Sequence, residues 1–241
     1  MDGCSPTQDA TMSGRSPMLK RCTTLCLTGL LGAYAIGVQA QPFQARIVDA
    51  AGNPVAGAVL SLGGLARPAQ AATTAVMDQV GKQFVPAVLP VRVGTAVSFP
   101  NSDDIRHQVY SFSPAKRFEL RLYEGTPSEP VIFDQPGLVV LGCNIHDWML
   151  GYVYVTEDAA FGVSDAQGQV RLEVPPGEYP ATLWHPALSG MQPQPAGQLS
   201  SSAEPVELRL PVAVTAPLQP LPPAPSAFAD AFRDATREAQ P

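Results

Sequence analysis

The sequence predicts an all-β protein made of sandwiches of short strands. Its 241 residues include 26 prolines and 20 glycines, which divide the chain into short segments. Apolar or alternating runs recur between residues 43 and 155 at intervals of about ten residues, the spacing that β-sandwiches show. No stretch in this part has the periodicity of an amphipathic helix, so a helical or α/β fold is disfavoured.

Residues 18–40 have the pattern of a Sec-type signal peptide. A basic pair at 20–21 precedes a largely apolar run, 22–38, and small residues lead to Ala40. The run is short for a membrane anchor, which needs roughly 18 uninterrupted apolar residues. We therefore predict cleavage between Ala40 and Gln41 and an exported, periplasmic protein without stable membrane insertion. The signal pattern begins at residue 18, so residues 1–17 are compatible with an over-long gene start.

The predicted strands follow the signal in order. The first two flank the turn sequence DAAGNPVAG, whose Gly, Asn and Pro favour a chain reversal. The predicted strands are residues 43–48, 58–62, 85–93, 96–99, 108–112, 117–122, 130–133, 138–141 and 151–155.

Residues 161–186, FGVSDAQGQVRLEVPPGEYPATLWHP, carry a second β pattern: a D-x-x-G turn, the alternating VRLEV and the turn PPGEY. This pattern resembles the second half of a transthyretin-like or carboxypeptidase-regulatory-like β-sandwich, and IVDAAGNPVAGAVL at 47–60 resembles the first half. We predict a discontinuous sandwich, residues 41–74 and 158–212, around an inserted domain at 75–157. The alternative makes 43–62 extra strands of the inserted domain.

The C-terminal segment, residues 213–241, is predicted to be a Pro-rich linker and a loosely docked or disordered tail. Its last part, AFADAFRDATREAQP, has the pattern of a short helix.

The charge balance excludes some partners. The chain has 15 basic and 21 acidic residues, and loss of residues 1–40 leaves an excess of acidic over basic residues. This acidic balance argues against nucleic acid and anionic membranes and permits docking on a basic protein.

One cysteine, Cys143, remains after removal of the predicted signal, so a disulfide within the chain is impossible. An unpaired thiol in an oxidising compartment is either buried, paired between chains or bound to a metal. Cys143 lies in VVLGCNIHDWMLGYVYV, where His146 and Met149 follow at a C-x2-H-x2-M spacing. A thiolate, imidazoles and a weak thioether favour copper over zinc.

A second imidazole ligand has two candidates in the sequence. His107 stands at the entry of a predicted strand in SFPNSDDIRHQVYSF, where it can reach a loop at the same end of a sandwich. His185 lies downstream in LWHP, in the segment assigned to the other sandwich, and is interpreted as structural.

These segments resemble the cupredoxins, the blue-copper proteins. The C-x2-H-x2-M spacing is similar to the amicyanin type, and FPNSDDIRHQV resembles its N-x5-H-N-V pattern with Gln108 in place of the second Asn. The resemblance spans residues 75–156. It implies a Greek-key sandwich with one type 1 copper ion, with His107, Cys143 and His146 as equatorial ligands and Met149 as the axial ligand.

The wider pattern, including the later LWHP, resembles exported proteins often called methylamine-utilisation proteins.

The predicted function is one-electron transfer with a redox partner protein such as a dehydrogenase, cytochrome or oxidase. A multicopper enzyme needs more histidines than this chain has, so no catalytic activity is expected. Copper storage or delivery, and a structural role without redox activity, remain alternatives. Asp103, Asp104 and Asp147 lie near the predicted ligands, either as solvated turn residues or as charges that steer a basic partner.

Overall fold

A computed structural model of the chain describes residues 41–66, 73–201 and 204–221. Every regular element in these ranges is a strand, apart from a single 3-10 turn at Ser189–Met191, so the all-β prediction is confirmed. The predicted signal peptide and C-terminal helix lie outside the described residues. In the described ranges, no helix has both the length and the apolar character that a membrane crossing requires.

The strands of the described ranges are numbered in chain order. They are β1 Gln41–Val48, β2 Val59–Leu62, β3 Thr74–Val76, β4 Asp78–Val80, β5 Gln83–Val85, β6 Val88–Arg92, β7 Thr95–Ser98, β8 His107–Ser111, β9 Phe118–Tyr123, β10 Val131–Phe133, β11 Gly137–Gly142, β12 Leu150–Thr156, β13 Ala160–Val163, β14 Gln169–Val174, β15 Glu178–Trp184, β16 Gln194–Ser200 and β17 Val206–Arg209.

Strands β3 to β12 form what we call the central sandwich. One sheet has the order β6-β12-β11-β8-β9 and the other has the order β10-β7-β3. Apolar side chains from both sheets fill the space between them, among them Phe99, Val109, Phe133 and Val153. The hairpin β4–β5 is attached to this sandwich by a bridge between Gln79 and Asn101, close to the end where the predicted metal ligands lie.

Strands β1, β2 and β13 to β17 form the flanking sandwich. Its sheets have the orders β14-β1-β17 and β13-β2-β15-β16. β14 shows why these residues form strands: its side chains alternate between exposed and buried, and every second one enters the core. The pairing of β1 with β14 and of β2 with β15 joins chain segments that precede and follow the central sandwich.

The two sandwiches contact each other through β12, which is buried on both faces. Val153 and Val155 belong to the central core, while Tyr152 and Tyr154 point to the opposite face and pack around Trp184 of β15. Both tyrosine rings lie 5.7 Å from the indole, measured between ring centroids. This contact explains why β12 has no polar alternation in its sequence.

Residues 212–221, in and next to the segment predicted to be a linker, are bonded to the rest of the protein at individual points. Val214 donates its backbone N–H to the Asp49 carboxylate. The Gln219 side chain is buried and accepts a hydrogen bond from the Phe84 N–H (3.1 Å) while donating one to the Phe84 carbonyl (2.6 Å). The segment therefore crosses from the flanking sandwich to the β4–β5 hairpin.

Candidate metal centre

A tight loop between β11 and β12 carries three of the four predicted ligands. Pairing of Gly142 with Leu150 closes the ends of the loop, and the Met149 N–H donates a hydrogen bond to the His146 carbonyl. A Cβ on Gly142 would lie 2.8 Å from the Tyr110 ring, so a larger residue where the strand enters the loop would displace that ring. The sheet thereby fixes both ends of the loop.

His107, Cys143 and His146 converge at one end of the central sandwich. The Cys143 Sγ lies 4.0 Å from His107 Nδ1 and 3.9 Å from His146 Nδ1. The three ligand atoms all lie within 4.8 Å of one another, and all three residues are buried. His107 and Cys143 are separated by 36 positions in the chain, so the fold itself brings them together.

Each sulfur–nitrogen distance is short enough for one metal ion to bond to both atoms. With metal–sulfur and metal–nitrogen bonds of about 2.3 Å and 2.0 Å, as for zinc, sulfur and nitrogen ligands of one ion lie at most about 4.3 Å apart. Both sulfur–nitrogen distances are below that limit. One thiolate with two imidazoles is a donor set that suits copper, and to a lesser degree zinc.

Met149 is placed beside this group of ligands. Its side chain is completely buried and belongs to the same apolar cluster as Cys143. A thioether in that position can act as a weak axial donor or fill the core, and both uses are compatible with its burial.

His107 begins β8, where the register against β9 shifts between His107 and Val109. Its ring is fully buried, and its Nε2 lies 2.7 Å from Asp103 Oδ2. A hydrogen bond from Nε2–H to this carboxylate leaves the lone pair on Nδ1, the atom that faces Cys143.

Asn101 shapes the loop that precedes His107. Its side chain is buried, donates to the carbonyls of Ile105 and Tyr123, and accepts a hydrogen bond from the Asp103 N–H. These three bonds give a structural reason for an asparagine six positions before the histidine.

Burial lowers the pKa of His146, and the neighbouring His107 and Lys82 act in the same direction. A lowered pKa favours the neutral imidazole, which is the form that binds a metal. For Asp103, burial opposes ionisation, but hydrogen bonds from the Lys82 and Gly81 backbone and from His107 outweigh it and hold its pKa below the usual value.

The other residues singled out in the sequence have different surroundings. His185 is buried in the flanking sandwich, where its Nδ1 accepts a hydrogen bond from the Ala187 N–H. Asp104 and Asp147 are exposed, which is compatible both with solvated turn residues and with charges available to a partner. Asp103 is different, because it contacts His107 and only 13% of its side chain is exposed.

Trp148 was not predicted as part of the site. Its ring lies 5.1 Å from the His146 ring in an edge-on arrangement, measured between centroids. In the sequence, only its position between His146 and Met149 indicated that Trp148 could lie at the site.

No family model matches the chain, and no curated protein matches it. Solved structures with similarity include a purple cupredoxin from Nitrosopumilus maritimus, at 21% identity and a TM-score of 0.30, over 35% of this chain and 99% of that one. A copper-containing nitrite reductase from Thermus scotoductus shows 27% identity and a TM-score of 0.33, over 46% of this chain and 28% of that one. A reduced, Cu(I) form of an amicyanin variant shows 20% identity and a TM-score of 0.32, over 40% of this chain and 98% of that one.

All of these TM-scores lie below 0.5, so the function proposed below rests on the geometry of His107, Cys143 and His146 in this chain.

Proposed function

We propose that the protein is an exported type 1 copper protein of the cupredoxin kind that takes part in one-electron transfer. The observation that supports this proposal is the convergence of one thiol and two imidazole nitrogens, buried together at the end of a β-sandwich. His107, Cys143 and His146 would hold the ion, with Met149 as a weak axial donor. When bound, a copper ion would supply a one-electron couple between Cu(I) and Cu(II).

The chain's own residues would hold this donor set in place. The hairpin of β11 and β12 fixes the loop with Cys143 and His146, and β8 fixes His107. Burial excludes water from the three donors and lowers the local dielectric constant, which limits the reorganisation that accompanies a change in charge. A site of this kind suits electron transfer better than substrate chemistry.

The partner would be a redox protein that docks near His146. His146 is the more exposed of the two imidazoles, at 8% against 0% for His107. The adjoining Ile145 is half-exposed, and Asp147 is exposed on the same loop. We propose that this loop is the contact point for the partner, with Asp147 favouring a basic surface.

The first test is the visible spectrum of the purified protein loaded with Cu(II). The proposal predicts an intense blue or purple colour, because thiolate-to-copper charge transfer absorbs in the visible range, and a single copper per chain. Cys143→Ser removes the thiolate and should abolish the colour, while Ser111→Ala leaves all donors in place and should retain it.

Two other results would assign a different function. Tight Cu(I) binding without visible absorption in the oxidised protein would favour storage or delivery. Absence of copper binding would favour a structural role, and either result would overturn the electron-transfer proposal.

A further inference from the structure

Asp103 has an environment unlike that of the neighbouring acidic residues. Its carboxylate faces inward onto the ring edge of His107 opposite to Cys143, at 2.7 Å between Oδ2 and Nε2. The imidazole is fully buried, and the carboxylate side chain is 13% exposed. Asp104, the next residue, is exposed to solvent.

Two backbone amides hold the carboxylate in this orientation. Gly81 donates its N–H to Oδ1 at 2.6 Å, and Lys82 donates its N–H to Oδ2 at 2.9 Å. Gly81 and Lys82 form the turn of the β4–β5 hairpin and both have positive φ, 62° and 60°. This left-handed turn directs two consecutive N–H groups to one side, as in the type I′ turns of tight hairpins.

The hairpin that supplies these amides is itself anchored on both sides. Gln79 of β4 forms a bridge with Asn101, and the Gln79 side chain donates to the Pro100 carbonyl. Phe84 of β5 is bonded through both of its backbone groups to the Gln219 side chain. The carboxylate is thus bonded to a fixed support, whereas a solvated turn residue would be free to rotate.

We propose that Asp103 is a positioning residue that holds His107 as its Nε2–H tautomer, directs the Nδ1 lone pair at the metal position and favours the more positive oxidation state of a bound copper ion. The effect of Asp103 on the oxidation state of copper rests on the copper function proposed above. The effect of Asp103 on the tautomer of His107 depends only on contacts within the protein and applies to the metal-free chain.

The physical reasons are the hydrogen bond and the charge. In the neutral ring, an acceptor at Nε2 places the single proton there, so the lone pair of the Nε2–H tautomer lies on Nδ1, the atom that faces Cys143. A carboxylate bonded to the far side of a ligand ring also makes the ring a stronger donor and places a negative charge close to the site. Both effects stabilise Cu(II) more than Cu(I) and lower the reduction potential.

Steering of a partner is the competing role for Asp103, and Asp104 provides a matched control. Asp103→Asn and Asp104→Asn each remove one negative charge from the same loop. A long-range effect on the potential or on docking should therefore be similar in the two variants. An effect through the His107 hydrogen bond should occur only in Asp103→Asn.

The first measurement is nitrogen NMR of the His107 ring in metal-free wild type, which identifies the protonated nitrogen. The proposal predicts protonation at Nε2 with slow exchange of that proton, and mixed tautomers with faster exchange in Asp103→Ala. Protonation at Nδ1 in the wild type would overturn the proposal whether or not any variant folds.

The second measurement is the reduction potential of the copper-loaded Asn variants. We expect Asp103→Asn to lower the affinity for Cu(II) about 10-fold relative to Cu(I), at the lower end of the range for outer-shell changes at metal sites. This corresponds to a rise of about 59 mV for a one-electron couple. Asp104→Asn should change the potential much less, and equal shifts in the two variants would overturn the role through His107.

The two measurements separate this inference from the proposed function. If the protein binds no copper, the tautomer still reports whether Asp103 positions His107. If copper binds with a visible charge-transfer band but the tautomer is wrong, the electron-transfer proposal stands and the role of Asp103 fails.

Discussion

One end of the central sandwich and the turns of the flanking sandwich bury polar side chains in different arrangements. In the flanking sandwich these groups bond to nearby backbone: Asp49 accepts from the Ala51 and Asn53 amides, and Ser164 bonds to Val55 and Ala58. In the central sandwich, the buried side chains of His107, Cys143 and His146 face one another.

The difference shows how a candidate metal site differs from structural polar groups in a β core. A buried group that bonds to turn backbone satisfies the chain around it. Side chains that converge on each other from separate strands can hold one ion between them. Substitutions that disturb one sandwich and leave the other intact therefore test this distinction.

The largest expected effect on the free energy of unfolding comes from loss of the contact between the sandwiches. Trp184→Ala removes a completely buried indole that packs on Tyr152 and Tyr154. We expect the free energy of unfolding to fall by about 3–5 kcal/mol, as measured by denaturant titration. The folded variant should keep its copper band, because no ligand lies in this contact; loss of the band in folded protein would show that the sandwiches are coupled at the site.

Gln219→Ala should have a smaller effect on stability. The change leaves the N–H and carbonyl of Phe84 without their side-chain partner, which costs about 1–3 kcal/mol for buried groups. Gln198→Ala is the control, because Gln198 is exposed on β16 and its loss should change the free energy of unfolding by less than about 0.5 kcal/mol. Equal effects of the two substitutions would contradict the anchoring of residues 212–221.

Met149→Leu should change the potential more than the stability. The side chains have similar volumes, so we expect a loss below about 1.5 kcal/mol. Copper should remain bound at a higher reduction potential, because only a weak axial donor is lost. Met191→Leu in the flanking sandwich provides the matched control and should leave the potential unchanged; a potential unaffected by Met149→Leu would count against Met149 as a ligand.

The smallest expected effect is a change in the pH dependence of stability on substitution of His185. Burial is the main cause of the lowered pKa of this residue. The unfolded chain, with a His pKa of about 6.5, takes up a proton before the folded chain does. Stability is therefore lost as pH falls below that value toward the folded pKa. Thermal unfolding of copper-loaded protein at pH 7.5 and 5.5 should show less pH dependence in His185→Gln than in wild type, and an unaltered dependence would refute a role for this residue.

The sequence indicated the candidate ligand loop because the signal of this loop is local. Cys143, His146 and Met149 lie within seven positions, on a hairpin whose flanking strands are strongly apolar. His107 was predicted from its place at a strand entry and from the family resemblance. The structure brings its Nδ1 to within 4.0 Å of Cys143 Sγ.

Other contacts left no comparable signal in the sequence. Gln219 bonds to Phe84 across 135 positions, and a glutamine in a Pro-rich segment has no periodicity that indicates burial. Asp103 was expected to be either solvated or available to a partner. Its inward orientation depends on amides of the β4–β5 turn, which is 21 to 22 positions earlier and was not predicted as a hairpin.

X-ray absorption at the copper edge of the loaded protein tests the central claim most directly. If His107, Cys143 and His146 hold one ion, the spectrum should show one short copper–sulfur bond and two imidazole nitrogens in the wild type. The sulfur contribution from Cys143 should be absent in Cys143→Ser. A copper surrounded only by oxygen and nitrogen donors in the wild type would contradict the account.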